Sequence, residues 1–227
     1  MKPALLIIDM QNDFVLPSAP AVIHGALATV PRIEEVLEWF RAKCYPVFHI
    51  VREYRADGSD IEISRRKAFL AGPPYAVPGT KGVEIIDALS PITGEYRVVK
   101  PRFSAFFGTE LELILRRLGV DSVVVCGTQY PNCIRATAFD ALSYGYPTAV
   151  ITDATSASAL TVAESNIRDM ENIGIRCISF DEFKKSPNPA FERDCAKARS
   201  PSLLRYALGN REEIGDRPRE EIGDGRK

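Results

Sequence analysis

The sequence predicts an α/β fold, a three-layer sandwich in which a six-stranded, mostly parallel sheet is flanked by helices. Over residues 1–182, short apolar runs of strand length alternate with segments of helical periodicity. Most of these runs are apolar throughout, which is typical of strands that are covered by helices on both faces. Such an alternation favours a parallel sheet between two helical layers.

The first half of this domain contributes three strands and one helix. Residues 4–8 form a continuous apolar run, which predicts a buried strand. Residues 30–39 carry apolar side chains at the three- and four-residue spacing of a helix. Residues 46–51 are rich in β-branched and aromatic side chains, which favour a strand. Residues 96–99 are predicted to form the next strand.

The second half alternates helix and strand more closely. The predicted helices are residues 109–118, 132–144 and 161–173. The predicted strands are residues 122–126, 148–152 and 175–179. A glycine follows each helix directly, and glycine ends helices because it readily adopts a left-handed backbone conformation. These glycines are Gly119, Gly145 and Gly174.

Two segments lie outside this alternation. Residues 53–94 are rich in glycine, proline and charge, and are predicted to run over one end of the sheet. Long loops in compact domains are usually lids or binding loops, although a decorative insertion is the alternative. Residues 183–227 form a polar tail that is predicted to be partly disordered. The alternative is an arm that packs on a neighbouring subunit through Leu203, Leu204 and Tyr206.

The composition of the chain argues against two classes of protein, those that bind nucleic acid and those that span a membrane. The chain has 29 basic and 30 acidic residues and a net charge of −1. It therefore lacks the basic excess of proteins that bind nucleic-acid backbones. No apolar run approaches the roughly 18–20 residues that span a bilayer, and the first apolar run ends at Asp9, too early for a signal peptide. The prediction is a cytoplasmic protein with neither a nucleic-acid nor a membrane partner.

The five cysteines form an odd set without a CxxC pair, which indicates free thiols. Cys126 and Cys177 lie within predicted strands and are expected to be inert core thiols. Cys44 follows a helix and Cys195 lies in the tail, and nothing indicates chemistry at either. Cys133 lies at the start of a predicted helix and is the candidate nucleophile.

Reactive side chains stand where predicted strands end. Ligands of parallel sheets bind beyond the carboxyl ends of the strands, and Asp9, Lys100 and Asp153 occupy such positions. The first turn of a helix and a nearby cation such as Lys100 favour the thiolate of Cys133. Asp9 could take the thiol proton and return it to a leaving group. Asp153 is expected to have a structural hydrogen-bonding role. The alternatives are a buried apolar role for Cys133, a loop hydrogen bond for Asp9 and a pair with a surface acid for Lys100.

Histidine chemistry is not expected. The chain has two histidines, His24 and His49, and His49 lies within a predicted strand as a core residue. A histidine-rich metal site is hard to build from these two side chains. No Ser/His/Asp arrangement can be assembled from them either. The sequence therefore predicts no metal and no cofactor.

Three sequence blocks resemble the isochorismatase-like cysteine hydrolases. The blocks are LLIIDMQNDF, VVKPRFSAFFGTEL and VVVCGTQYPNCIRATAFDALSYGY. They occur in the family's order, and the resemblance extends from about residue 3 to residue 182. The family includes nicotinamidases, ureidoacrylate and biuret hydrolases and N-carbamoylsarcosine amidase. The resemblance implies a six-stranded parallel sheet and a catalytic triad of Asp9, Lys100 and Cys133.

The resemblance also implies a mechanism. The cysteine attacks an amide-type carbonyl, ammonia leaves, and water hydrolyses the thioester. Main-chain N–H groups of Gln129 and Cys133 would hold the oxyanion, with a cis peptide bond at Thr128–Gln129. Each such donor is typically worth about 3 kcal/mol of barrier.

Two departures from the family's patterns bear on the substrate. Nicotinamidases carry a DxH-plus-His metal site after the second strand, where this chain reads HIVREYRADGSD with a single histidine. Isochorismatases often lack the cysteine, which is present here. The prediction is a metal-independent amidohydrolase acting on a small amide, ureide or carbamoyl compound, as a homo-oligomer. The alternatives are a nicotinamidase with an altered metal site and a non-catalytic binding or scaffolding member.

Six side chains near the triad positions are predicted to contact substrate. They are Phe14, Arg52, Arg102, Phe106, Phe107 and Tyr130. The phenylalanines would form an apolar wall, an arginine would hold a carboxylate through two hydrogen bonds, and the tyrosine would face the pocket mouth. Core packing and surface ion pairs are the alternatives.

Overall fold

A six-stranded parallel sheet forms the middle layer of the structure, a computed structural model that describes residues 2–187. The strands are Pro3–Ile8 (β1), Val47–Arg52 (β2), Tyr96–Lys100 (β3), Ser122–Gly127 (β4), Thr148–Thr155 (β5) and Arg176–Ile178 (β6). Their order is β3-β2-β1-β4-β5-β6, and every neighbouring pair is parallel. The predicted α/β class and the six strands are confirmed.

Seven α-helices lie along the described part of the chain. They are Asn12–Val15 (α1), Ala26–Ala42 (α2), Ile63–Ala71 (α3), Leu111–Arg117 (α4), Arg135–Ser143 (α5), Leu160–Asn172 (α6) and Phe180–Lys185 (α7). The helix predicted at residues 132–144 begins as a π-helical turn, Tyr130–Ile134, and continues as α5. Within residues 2–187, no helix has both the length and the apolar character needed to cross a membrane.

Helices cover both faces of the sheet. Alternate β1 residues point to opposite apolar clusters, with Leu6 in one cluster and Leu5 in the other. The first cluster includes Leu115, Ala138 and Met170 from α4, α5 and α6. The second receives α2 and α7, including Phe183. The central strands β1 and β4 and the neighbouring β2 are therefore buried on both faces, which explains their largely apolar sequences, whereas the edge strands β3 and β6 are partly exposed.

Helix α7 spans the predicted domain boundary at residue 182. Ser179 caps it, since its hydroxyl accepts from the Glu182 N–H while the Glu182 carboxylate accepts from the Ser179 N–H. This reciprocal cap is readable in the sequence as serine followed three residues later by glutamate. The predicted tail lies outside the described residues from position 188 onward, as do Leu203, Leu204 and Tyr206.

The motif residues after β1 fix the long segment of residues 53–94. The Gln11 amide donates to the carbonyls of Arg52 and Val83, at 2.9 and 2.8 Å. Asn12 donates to the Lys81 carbonyl, and Asp13 accepts from a main-chain N–H further along the segment. A third apolar cluster, which includes Phe14, Tyr54 and Phe69, lies beneath the segment. The side chains of Gln11, Asn12 and Asp13 therefore hold this segment in place by hydrogen bonds.

A buried ion cluster stabilises the amino end of β3. Arg41 donates twice to the Glu95 carboxylate, at 2.7 and 3.0 Å, and His49 lies 2.9 Å from it. Burial alone would raise the pKa of Glu95, but hydrogen bonds from Arg41, the Ile92 N–H and His49 hold it at about 2. Burial also lowers the pKa of His49. His49 is thus the core residue that the sequence predicts.

Glu95→Gln is expected to lower the free energy of unfolding at pH 7 by about 3 kcal/mol, since it leaves Arg41 without its buried partner. A lowered carboxylate pKa contributes stability above the unfolded-state value of 4.5, and that contribution disappears as the pH falls towards 2. Urea unfolding of both proteins between pH 7 and pH 3 measures the difference. A difference that does not shrink on acidification contradicts this role.

Candidate active site

The structure brings Asp9, Lys100 and Cys133 together at the carboxyl edge of the sheet. The Lys100 Nζ atom lies 2.9 Å from Asp9 Oδ2 and 3.4 Å from Cys133 Sγ. All three side chains are buried, and Lys100 is completely so. A carboxylate, an ammonium and a thiol in mutual contact are the groups needed for proton transfer and nucleophilic attack.

Asp9 occupies a left-handed conformation, with φ of 52°, directly after β1. Aspartate tolerates this region better than most residues with a side chain. Its N–H donates to the Ile50 carbonyl, which fixes the turn against β2. One carboxylate oxygen, Oδ2, accepts from Lys100, whereas Oδ1 is buried without a hydrogen-bond partner. Oδ1 is therefore available to receive a proton.

The turn that carries Cys133 begins where β4 ends. The Thr128–Gln129 peptide bond is cis, as the resemblance implies. The Thr128 N–H donates to the Ile8 carbonyl at 2.9 Å, and the Gln129 carbonyl accepts from Asn132 and Ile134 at 3.3 Å. The π-helical turn then places Cys133 two residues before the start of α5 at Arg135. The main chain of Gln129 and the thiol thus belong to one hydrogen-bonded turn.

Arg52 at the end of β2 is a fourth charged group at this site. Its guanidinium donates to Cys133 Sγ at 3.3 Å, to the Arg102 carbonyl at 3.0 Å and to the Tyr54 hydroxyl at 2.7 Å. It also forms an ion pair with Glu62. These protein groups occupy the guanidinium, so it is not free to hold a substrate carboxylate in the way the sequence suggests.

Opposing effects act on the thiol. Burial raises the pKa of Cys133, the Asp9 carboxylate raises it further, and Lys100 and Arg52 lower it. Burial prevails, so the pKa of Cys133 lies above its ordinary value. This is the opposite of the lowered pKa expected from a helix start and one cation. Burial thus favours the neutral thiol, and the two cations favour the thiolate.

The predicted aromatic wall is not assembled in one place. Phe14 lies in the third apolar cluster with its ring edge-on to Tyr75. Phe106 is buried and stacks on Tyr144 at 5.3 Å, near the carboxyl end of α5. Phe107 points outward and is 62% exposed. The three phenylalanines therefore lie in different surroundings. Phe106 and Phe107 point to different sides because consecutive residues in a loop need not share a face.

Arg102 and Tyr130 also have protein partners. The Arg102 side chain donates to the Asp60 and Pro101 carbonyls, while its own carbonyl accepts from Lys100 and Arg52. Tyr130 is buried and lines a cleft of about 540 Å³ near β5, which none of Asp9, Lys100 and Cys133 lines. Arg102 thus meets the triad through its main chain.

Sequence reasoning missed the residues that surround Arg52. They are Tyr54, Glu62, Phe103 and Arg65. The Phe103 ring has the Arg52 guanidinium at 5.6 Å and the Arg65 guanidinium at 4.9 Å. All four lie in irregular or charged segments where no periodicity separates buried from exposed side chains. A glutamate ten residues after an arginine carries no local signal of a buried pair.

The remaining cysteines and Asp153 have structural surroundings. Burial raises the pKa of Cys126, and it raises the pKa of Cys177 to about 12. Cys126 is the buried core thiol that the sequence predicts, whereas Cys177 is partly buried and Cys44 is exposed. Asp153 accepts from the Phe180 N–H and pairs with Arg32 at 3.1 Å, which is the structural role expected of it.

The residues present do not fit a metal ion. Within residues 2–187, no three His, Cys, Asp or Glu side chains converge in a way that could bind one. The last residue of β2 is the cation Arg52, which would repel a metal from Glu62. His49 is turned to Glu95 in the ion cluster of Arg41. Glu62 and His49 are thus already paired with other side chains and do not form a metal site.

Comparison with known proteins agrees with this geometry. The model of the isochorismatase domain matches residues 3–182. A protein of Arabidopsis thaliana, described as a probable inactive nicotinamidase, is 42% identical over 80% of this chain and 94% of its own. The maleamate amidohydrolase of Pseudomonas putida is 33% identical over 75% of this chain and 80% of its own.

A solved structure is similar as well. An isochorismatase family protein from Desulfovibrio vulgaris is 54% identical and superposes with a TM-score of 0.78. The match covers 81% of this chain and 97% of the other.

Proposed function

Because the chain belongs to the isochorismatase family, we propose that it is a metal-independent cysteine amidohydrolase. The substrate class is a small amide, ureide or carbamoyl compound whose C–N bond is cleaved through a thioester. One observation carries the proposal, namely the contact of Lys100 with both Cys133 and Asp9 at the carboxyl edge of the sheet. That edge is where parallel sheets bind ligands.

Two protons pass through Asp9 in turn, one from the thiol to the leaving nitrogen and one from water back to the sulfur. The Cys133 thiol gives its proton to Asp9 as sulfur attacks the carbonyl carbon. Main-chain N–H groups of Gln129 and Cys133 stabilise the oxyanion. The C–N bond then breaks, and Asp9 returns the proton to the leaving nitrogen. Water attacks the thioester and gives a proton to Asp9, which protonates the departing sulfur as the acid is released.

The buried charges fit this sequence of steps. Because burial raises the pKa of Cys133, the proton leaves as the sulfur attacks rather than beforehand. Asp9 Oδ1, buried without a partner, is the acceptor. Lys100 keeps the other oxygen of Asp9 in place and lies within 3.4 Å of the sulfur that gains charge.

An ammonia-release screen tests the proposal. The panel contains primary amides, ureides and N-carbamoyl acids, with nicotinamide included, and the Cys133→Ala protein serves as blank. The amide substrate in the name of the Pseudomonas relative supports the choice of amides. Cys133-dependent ammonia from at least one compound is expected. Ammonia release that Cys133→Ala retains in full contradicts the proposal.

Metal removal is expected to leave the activity unchanged. Arg52 and Glu62 pair with each other, and His49 pairs with Glu95, so the site offers no free ligand set. The measurement compares ammonia release after dialysis against a chelator with release after addition of zinc or ferrous iron. A rate that falls at least tenfold on chelation and returns with metal contradicts metal independence.

A non-catalytic binding protein is the second candidate. The Arabidopsis relative is described as a probable inactive nicotinamidase, and the raised pKa of Cys133 is what an inert thiol also has. Calorimetry with the same panel separates the two candidates. Binding of a panel compound without release of ammonia over hours favours the binding protein.

A further inference from the structure

Arg52 is a buried cation in direct contact with the candidate nucleophile. Its side chain is 1% exposed, and one guanidinium nitrogen, Nη2, lies 3.3 Å from Cys133 Sγ. Another edge faces Asp9, with Nε 3.9 Å from Oδ2. Burial alone would lower the pKa of Arg52, but the charges of Asp9 and its other partners raise it. The guanidinium is therefore charged in this dry surrounding.

Two neighbours from the segment after β2 fix the direction of this guanidinium. Glu62 pairs with the Nη1 atom of Arg52, and the Tyr54 hydroxyl accepts from the same atom at 2.7 Å while donating to Glu62 at 2.6 Å. Glu62 is itself buried. Because Glu62 and Tyr54 hold the Nη1 atom, Nη2 remains directed at the Cys133 sulfur and the Arg102 carbonyl.

The charges of the four ionised side chains at this site balance while Cys133 is a neutral thiol. Lys100 and Arg52 contribute two positive charges, and Asp9 and Glu62 contribute two negative charges. When the thiol proton passes to Asp9, the negative charge moves to the sulfur and the sum does not change. The two cations then both lie within 3.4 Å of the atom that carries the charge.

We propose that Arg52 is a catalytic residue that, with Lys100, stabilises the charged sulfur of Cys133, and that Glu62 is the positioning residue that directs it. The inference rests on the proposed function for its chemistry, but the reactivity of the thiol tests it without substrate. The charged groups facing the sulfur are Asp9 from β1, Arg52 from β2 and Lys100 from β3. Loss of Arg52 thus removes one of the two cations that lie at the Cys133 sulfur.

The test measures the rate of Cys133 alkylation by iodoacetamide between pH 6 and pH 10. Cys44 lies at the surface and can react with the reagent too. The rate for Cys133 is therefore measured by mass spectrometry of the peptide that contains it. The variant Arg52→Met/Glu62→Gln removes both charges at once, so no unpaired buried charge remains to unfold it. In the double variant we expect the pH midpoint of Cys133 alkylation to lie about one unit higher than in the parent protein. At pH values below both midpoints, its alkylation should then be at least about tenfold slower.

A remote ion pair provides the matched control. Arg41→Met/Glu95→Gln removes a comparable pair at the opposite edge of the sheet, and it should change thermal stability while leaving the alkylation profile unchanged. Arg52→Lys is the second variant, since an ammonium keeps the charge but lacks the planar fork by which Arg52 holds Glu62 on one nitrogen and Cys133 Sγ on another. We expect it to be alkylated about threefold more slowly.

A parental alkylation profile in whichever Arg52 variant folds overturns the inference and leaves Arg52 with a structural role only. That result says nothing against amide hydrolysis, which the ammonia screen decides separately. Conversely, a slowed thiol in a protein that releases no ammonia supports the role of Arg52 and contradicts the proposed function.

Discussion

Replacing Cys133 with alanine is expected to reduce amide hydrolysis by on the order of 10⁴- to 10⁶-fold, since loss of a nucleophile removes the covalent route altogether. The remaining groups, Asp9 and Lys100, could only assist a direct attack by water. The alanine fits the space of the thiol, because Cys133 is buried against core residues. Ammonia release on the best panel substrate, with circular dichroism to show folding, measures the effect.

Cys126→Ala is the matched control for this prediction. Cys126 is also completely buried, seven residues earlier in β4, and touches none of the charged groups at the candidate site. We expect its activity within about twofold of the parent and a modest loss of stability from the missing sulfur. Equal losses of activity in the two variants would show that packing, not nucleophilic attack, explains the effect.

Gly127→Ala is expected to destabilise the fold by more than about 4 kcal/mol, a large part of a typical total stability. Gly127 ends β4 with φ of 109°, and a β-carbon there would lie 2.3 Å from the carbonyl oxygen of Ile8. Only movement of β1 or β4 relieves that contact. Urea unfolding and the yield of folded protein measure the loss.

The same movement would disturb the site. Ile8 precedes Asp9, and Gly127 precedes the Thr128–Gln129 peptide bond, so the close contact fixes two parts of the site together. Gly145→Ala is the control, because Gly145 also has a positive φ but no atom lies within 4 Å of the added carbon. It should cost about 1–2 kcal/mol. Equal effects of the two alanines would contradict the close approach of β1 and β4.

Most of the fold could be predicted because burial on both faces leaves a continuous apolar signal. All six strands were predicted within a few residues, and the largest difference is β5, which continues to Thr155. Its polar end remains paired because Thr155 lies opposite Gly127 in the register with β4. The helices α1, α3 and α7 were not predicted, since none of them presents a long apolar face.

The candidate site was predicted in part. Position at strand ends, supported by the three sequence blocks, selected Asp9, Lys100 and Cys133, and the structure places them in contact. The direction of the Cys133 pKa was predicted wrongly, because the sequence shows the helix start but not the depth of burial. The surroundings of Arg52 could not be predicted, since Glu62 reaches it through an irregular segment.

The sequence by itself determined the elements, their order and the triad positions, because apolar periodicity and strand ends are local properties of the chain. Only the tertiary structure decided the electrostatics of the site. Whether a charged side chain is exposed or buried, and which partner it meets, depends on residues far apart in sequence. Arg52 illustrates this, since the sequence shows its charge, but its contact with Cys133, 81 positions further along the chain, exists only in the folded protein.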